Sequence, residues 1–221
     1  MILQPCQETV CEPDHPVLIF GGAEDCGCGF EAGTRCSALA PQWYRYCNEC
    51  ISPANRRWMG QLPRRIALRY SDHRLILVHG SGTLINQFIF ESTPWPEKQH
   101  QFTQLRTDLI VGGHAGLPFI QTQGRQTWVN AGTIGIPAND GTRDVWYLLL
   151  EQDTSNALHL SLNRLSYDWR SAQQKMREVG LTHYGESLES GLWPSLDILP
   201  ETERQRAGQA LPHSISHRIA H

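Results

Sequence analysis

Three polar residues come directly or almost directly after an apolar run: His79 after residues 75–78, His114 after residues 107–111 and Asn130 after residues 126–129. Each run predicts a buried β-strand, and α/β sheets bind ligands where strand ends meet loops. Imidazoles from two such strands can converge on a first-row metal ion. Either histidine alone is more simply a hydrogen-bonded loop residue, but the two together favour a metal site.

The apolar runs belong to a succession of strands and helices that predicts an α/β fold. Hairpins are indicated at residues 66–78, 119–129 and 144–162, helices at 41–60 (two, the second beginning at Ser52 and Pro53), 171–179 and 201–207, and a buried strand at 16–20. We interpret residues 1–15 as an irregular N-terminal segment, 16–207 as a single domain and 208–221 as a flexible, frayed tail.

Three segments resemble the later conserved blocks of the calcineurin-like metallophosphoesterases: HGSGTLINQFIFEST (79–93), GGHAGLPFIQ (112–121) and WVNAGTIGIPANDGTRDVWYLL (128–149). Four more resemble a bacterial subgroup of that superfamily: DCGCGF (25–30), Trp43-Tyr44, LPRR (62–65) and GLWPS (191–195). The resemblance implies an αββα sandwich of the α/β class that hydrolyses phosphoesters at a two-metal site.

Carried over residue by residue, the resemblance makes His79 and His114 metal ligands, with Gly80, Gly113 and Asn130 shaping the site. The family's Gly-His-x-His motif has a second histidine, and in this chain that position is Gly116. A glycine has no side chain with which to coordinate a metal. We therefore expect at most one divalent transition metal ion, Mn, Fe or Zn.

The N-terminal part departs further from the family. Gly22 is followed almost directly by Asp25-Cys26, so a block long enough for a parallel crossover, at least about a dozen residues, is missing relative to the family. The resemblance implies that a bridging aspartate, an asparagine and the histidine that protonates the leaving group go with it. Glu24, Asp25 and Asp140 are candidates to substitute as oxygen ligands, although solvated carboxylates are the simpler interpretation.

No catalytic residue is identified by these comparisons of motifs. We expect a metallophosphoesterase homologue whose activity is weak or lost, and the alternative is a non-catalytic binding or interaction protein on the same scaffold. Missing strands would also leave apolar surface uncovered and favour self-association.

Composition excludes several other classes of protein. The 221 residues include 19 basic and 22 acidic side chains, for a net charge of −3, with no dense basic run, which argues against a nucleic-acid binder. No stretch approaches eighteen consecutive apolar residues, so no membrane association is expected. The first twenty residues lack a secretory pattern, and we expect a cytoplasmic protein acting on a small phosphoester or a nucleotide.

All seven cysteines lie in the first fifty residues. Their odd number disfavours a disulfide framework. Cys26-x-Cys28 with Cys47-x-x-Cys50 could hold zinc, which leaves a cysteine-ligated zinc module as a third hypothesis. Reduced, partly buried thiols are the favoured interpretation.

Overall fold

A computed structural model describes residues 35–70 and 73–220 of the chain. The helices are α1 (Arg35–Cys50), α2 (Pro53–Gly60), α3 (Trp95–Leu105), α4 (Trp169–Glu178), α5 (Thr182–Ser190) and α6 (Glu201–Gln205). The strands are β1 (Arg65–Tyr70), β2 (His73–Val78), β3 (Leu109–Gly112), β4 (Phe119–Gln123), β5 (Gln126–Asn130), β6 (Val145–Gln152), β7 (Leu158–Leu165) and β8 (Ser214–Ile219).

The strands form two sheets. One has five strands in the order β1-β2-β3-β5-β4, and the other has three in the order β6-β7-β8. In the larger sheet β2, β3 and β5 run parallel, while β1 and β4 are joined antiparallel to its outer members. The carboxyl ends of β2, β3 and β5 therefore lie at one edge of the sheet.

The core lies between the two sheets. Leu75, Leu109 and Val129 of the larger sheet pack in one buried cluster with Leu158 and Leu160 of the smaller one. On each strand, residues that point into this cluster alternate with residues that point to the other face of the sheet, because successive side chains of a strand point to opposite faces. The sheets therefore pack face to face as a sandwich.

Helix α3 covers the opposite face of the larger sheet. Phe102 and Leu105 of α3 pack against Ile76, Ile110 and Trp128, which alternate with the residues that face the sandwich core. The larger sheet is thus apolar on both faces, as strands with continuous apolar runs require. Its central strands are held rigidly, and so are the residues at their ends.

Most of the elements predicted from the sequence are present. The three hairpins form with the expected strands, and α2 begins as expected, with Ser52 accepting a hydrogen bond from the Asn55 amide and Pro53 in the first turn. α4 is followed by Gly180 at φ 80°. The predicted strand at residues 16–20 and the missing block lie outside the described residues.

Two helices and one strand were not predicted. Helices α3 and α5 were missed, and the prediction of a frayed tail is wrong for residues 214–219, which pair with β7 as strand β8. Ile215 and Ile219 reach the core between the sheets, and the hydroxyl oxygen of Thr122 in β4 lies 3.1 Å from Nε2 of His217. These contacts hold the C-terminal segment on the sandwich.

None of the described helices combines the length and the apolar character that crossing a membrane requires.

Candidate metal centre

The ends of β2 and β3 bring His79 and His114 together. The strands are parallel, with Leu77 opposite Val111, and the chain continues into the two histidines at the same edge. The backbone carbonyl of His79 then accepts hydrogen bonds from the amides of Gly113 and His114, at 3.0 and 2.9 Å. The backbone itself sets the spacing of the two side chains.

The two imidazole rings are in direct contact. Nδ1 of His114 lies 2.9 Å from Nε2 of His79, and the ring centroids are 4.7 Å apart with a tilt of 55°. The ring of Phe88 stacks on His114 at a centroid distance of 4.2 Å. One imidazole is therefore pressed between an aromatic ring and the other imidazole.

Both rings favour the neutral form. Burial and the neighbouring His79 lower the pKa of His114 to about 4, and the backbone of Asn86 opposes this only in part. Nε2 of His114 is buried and makes no hydrogen bond of good geometry to the described residues. Burial also lowers the pKa of His79, although one side of that residue is open to solvent. A neutral imidazole is the form that binds a metal.

The loop after β2 closes over Gly80. A side chain at this position would meet the backbone of Ile85 and Gln87, because an added Cβ would lie 2.6 Å from both carbonyl oxygens. The loop is fixed in turn by Ser81, whose hydroxyl accepts hydrogen bonds from the amides of Thr83 and Leu84. Gly80 therefore permits the close approach that brings Phe88 to His114.

Gln101 of α3 anchors the same loop. Its side chain accepts a hydrogen bond from the Gly82 amide and donates one to the Thr83 hydroxyl, both at 3.1 Å. The helix that covers the sheet thus also positions the loop beside the histidines.

Asn130 shapes the third strand end and does not reach the histidine pair through any hydrogen bond in the described structure. Its buried side chain accepts a hydrogen bond from the Gly132 amide at 3.0 Å. One residue further, the Ala131 amide donates to the Gly112 carbonyl. These bonds keep the segment after β5 close to Gly113.

Gly116, where the family places its second histidine, is closed to a side chain. Its φ of 68° is in the left-handed region, and an added Cβ would lie 3.1 Å from the Trp193 ring. The indole nitrogen of Trp193 donates to the Pro137 carbonyl at 2.7 Å, which holds the ring in place. The loop is therefore built around a glycine, and a histidine there would be strained.

Asp140 is not a solvated carboxylate. No contact in the described structure joins it to His79 or His114. It is buried, forms an ion pair with Arg164 at 2.7 Å, and accepts hydrogen bonds from Thr142 and from the Leu211 amide. The sequence-based interpretation of a solvated acid is wrong for this residue, because its side chain is buried and its oxygens accept hydrogen bonds from protein groups. The chain bends at Asn139, Asp140 and Gly141, with Gly141 at φ 77°.

The ring nitrogens of His79 and His114 lie within hydrogen-bond distance of each other, and both rings favour the neutral form that a metal would bind. Two nitrogen ligands about 2.1 Å from an ion are about 3.0 Å apart at a right angle and about 3.4 Å apart at the tetrahedral angle. The observed separation of 2.9 Å lies close to the first value. No group of three or more His, Cys, Asp or Glu side chains suited to a metal occurs in residues 35–70 and 73–220.

Of the seven cysteines, the structure describes the side chains of Cys47, which is buried, and Cys50, which is exposed. Both are free thiols, and burial raises the pKa of Cys47. Glu24, Asp25 and the Cys26-x-Cys28 pair lie outside the described residues. Their expected roles stay predictions, as does the role of the two histidines as ligands.

Two features of the site were not found from the sequence. Phe88 stacks on His114, and Trp193 fills the space beside Gly116. Both residues lie within the segments that resemble the family, but nothing in their spacing indicates contact with residues 26 and 77 positions away. Only the folded chain brings them to the strand ends.

No family model and no curated protein sequence matches the chain. Among solved structures, the hypothetical protein PH1004 from Pyrococcus horikoshii is similar with a TM-score of 0.55 and 15% identity, over 78% of this chain and 62% of that one. Zinc-bound Vps29 from Entamoeba histolytica has a TM-score of 0.38 and 17% identity, over 49% and 57% of the two chains. A protein of Streptococcus pneumoniae described as a predicted phosphoesterase has a TM-score of 0.37 and 18% identity, over 52% and 68%.

The α/β class and the two-sheet sandwich expected from the sequence are confirmed, whereas the expected incompleteness of the N-terminal half lies outside the described residues. At 15% identity the likeness to the Pyrococcus protein extends to the fold alone, and the chain spans 62% of that protein's length. The two weaker superpositions carry no argument of their own. The comparisons therefore do not test the activity, the metal content or the subgroup of this protein.

Proposed function

We propose that the protein is a cytoplasmic metallophosphoesterase homologue of the bacterial subgroup with the DCGCGF segment. In this proposal His79 and His114 bind at most one divalent transition metal ion, and hydrolysis of phosphoesters is weak or lost. The substrate class is a small phosphoester or a nucleotide. The contact between the two strand-end imidazoles, at 2.9 Å, is the observation that carries the proposal.

The same geometry explains why activity would be weak. Two-metal hydrolysis needs two cations about 3.5–4 Å apart, which together hold the phosphoryl oxygens and generate hydroxide from bound water. Two imidazoles supply only part of the ligands for one ion, and the position of the missing histidine, Gly116, is packed against Trp193. Catalytic groups act as a unit, so the loss of one essential member can remove most of the rate.

The closed loop at Gly116 also supports the second candidate, a non-catalytic binding protein on the same scaffold. A loop that has lost a ligand by simple substitution would leave space beside the ion. In this chain the ring of Trp193 lies against Gly116 and is fixed by its hydrogen bond to Pro137. The surrounding structure is therefore adapted to the glycine.

Hydrolysis of 4-nitrophenyl phosphate and bis(4-nitrophenyl) phosphate with added Mn²⁺ distinguishes these candidates. The unmodified protein, His114→Ala and a chelated sample are compared, with His183→Ala as the matched control because His183 lies on α5 and is half exposed. We expect turnover slightly above background that falls to background in His114→Ala and after chelation, and that persists in His183→Ala.

Turnover that is at background in every sample would favour the non-catalytic candidate. Fast turnover that disappears in His114→Ala and after chelation would show a complete metal site, and the proposal of weakened activity would then be wrong. Turnover unaffected by His114→Ala would contradict the role of the histidine pair.

A further inference from the structure

A polar cavity lies at the end of the sandwich opposite the histidines. It has a volume of about 450 Å³ and opens between the beginnings of β2 and β3 and the ends of β4 and β8. Its basic lining residues are His73, Arg74, Arg106, Arg125, His217 and Arg218. Asp108 is the acidic side chain among its described lining residues.

This cavity is well separated from His79 and His114. His73 begins β2 and His79 directly follows the end of that strand. Six residues of extended chain at roughly 3.3 Å each put the two ends about 20 Å apart. A ligand in the basic cavity would therefore bind independently of the histidine pair.

Arg106 and Arg125 point to the ligand class. Both are exposed, and neither forms an ion pair with any residue in the described part of the chain. Arg106 ends α3 in the left-handed conformation, at φ 50°, and Arg125 follows Gly124 at the tip of the β4–β5 hairpin. Two guanidinium groups that line one cavity without an ion-pair partner favour a dianion.

The other basic groups support these two. Arg74 donates hydrogen bonds to the carbonyls of Leu105 and Arg106, at 2.8 and 2.6 Å, and so fixes the backbone that carries the Arg106 side chain. Arg218 is neutralised by Asp153 at 3.0 Å. Arg74 is thus used for positioning, and the charges of Arg106 and Arg125 remain for a ligand.

Polar groups without charge complete the wall. The hydroxyl of Thr122 lies 3.1 Å from the hydroxyl of Thr127 and 3.1 Å from Nε2 of His217. Hydroxyl and imidazole groups beside guanidinium groups donate hydrogen bonds to phosphoryl oxygens. The chain of three groups spans β4, β5 and β8, so the wall is built on rigid strands.

We propose that this cavity binds the phosphoryl group of a small anionic molecule, held by Arg106 and Arg125. A cavity of about 450 Å³ is within the range of roughly 300–1,000 Å³ that small-molecule sites occupy. A nucleic acid would need an extended basic track, and the protein has a net charge of −3. The proposal does not depend on metal binding or hydrolysis at His79 and His114.

Calorimetric titration with pyrophosphate, and separately with inorganic phosphate, tests the proposal in the presence of a chelator that removes metal ions. The test variant is Arg106→Asn with Arg125→Ala, because asparagine tolerates the left-handed backbone of residue 106. The control is Arg45→Ala with Arg57→Ala, which removes two exposed arginines that do not line the cavity. Thermal melting of each variant checks that it folds.

We expect pyrophosphate to bind the unmodified protein and the control with equal affinity within twofold. Binding to the Arg106→Asn, Arg125→Ala variant should be at least tenfold weaker. Equal binding in the two double variants, or no pyrophosphate binding to the unmodified protein, would overturn the proposal. A ten-nucleotide single-stranded nucleic acid is titrated for comparison. The proposal would also be overturned if this strand bound through Arg106 and Arg125 while neither phosphate nor pyrophosphate bound.

Discussion

The amide of His114 donates a hydrogen bond to the carbonyl of His79 at 2.9 Å, the same distance that separates their ring nitrogens. The two strand ends are thus joined through the backbone as well as through the side chains. A substitution of one ring leaves the backbone bond in place. The functional effect of either histidine can therefore be measured in a protein whose strand ends are still connected.

His114 should titrate near pH 4 in the folded protein, against about 6.5 for a free histidine. Burial and the adjacent His79 disfavour the charged ring. Between these two values the unfolded chain binds more protons than the folded one, so the free energy of unfolding should fall as the pH drops through this window. NMR titration of the imidazole C2 proton, assigned by its absence in His114→Ala, measures the pKa. A value at or above 6.5 would contradict the packing described for this ring.

Lys98 should make stability depend on pH in the alkaline range. Its side chain is fully buried, donates to the carbonyl of Glu91 at 2.9 Å and to Gln121, and lies over the Phe119 ring. Burial lowers the pKa of Lys98 to about 8, although Glu91, Glu203 and Glu97 oppose this. The unfolded chain binds more protons between pH 8 and about 10.4, so the free energy of unfolding should rise across that range.

The two lysines of the chain provide a matched pair for this test. Urea unfolding at pH 8 and pH 10 is compared for the unmodified protein, Lys98→Met and Lys175→Met, because Lys175 is exposed on α4. The rise attributable to Lys98, on the order of 1–3 kcal/mol, should be absent in Lys98→Met and kept in Lys175→Met. The same pH dependence in all three proteins would show that Lys98 does not titrate as its burial requires.

The sequence predicts the strands of the site better than the elements around it. The hairpins were found because β2 and β5 are short apolar runs bounded by turns. Helix α5 gave no signal, since it begins without a side-chain cap and contains Gly185. Strand β8 is polar in sequence, and it forms because β7 offers it a partner and the core accepts Ile215 and Ile219.

The contact of His79 with His114 could be expected from parallel strands, but the burial of their surroundings could not. Helix α3 had usable signals in Pro96 and Glu97 at its first turn. The buried Asp140–Arg164 pair joins residues 24 positions apart, and no local pattern distinguishes it from two solvated charges. Such pairs depend on tertiary packing.

Replacement of Asp140 should be strongly destabilising. Burial acts to raise the pKa of Asp140, but hydrogen bonds from Thr142, Leu211 and Arg164 outweigh it and lower the pKa. Asp140→Asn leaves the Arg164 charge buried without its main partner, which costs about 3–5 kcal/mol. Urea unfolding at neutral pH measures the loss.

Asp144→Asn is the control for this substitution. Asp144 lies 3.7 Å from Arg164 and its side chain is 30% exposed, so its loss should cost about 0–1 kcal/mol. Equal losses in the two variants would mean that Asp140 does not hold the Arg164 charge in the way described.

Titration with Mn²⁺ followed by calorimetry tests the central claim most directly, because Mn²⁺ has little affinity for the cysteine thiols that would bind Zn²⁺. We predict at most one equivalent, bound weakly, whose heat disappears in His79→Ala and in His114→Ala and persists in His183→Ala. Two equivalents of tightly bound Mn²⁺ in the unmodified protein, or binding that survives both substitutions at the strand ends, would contradict the account.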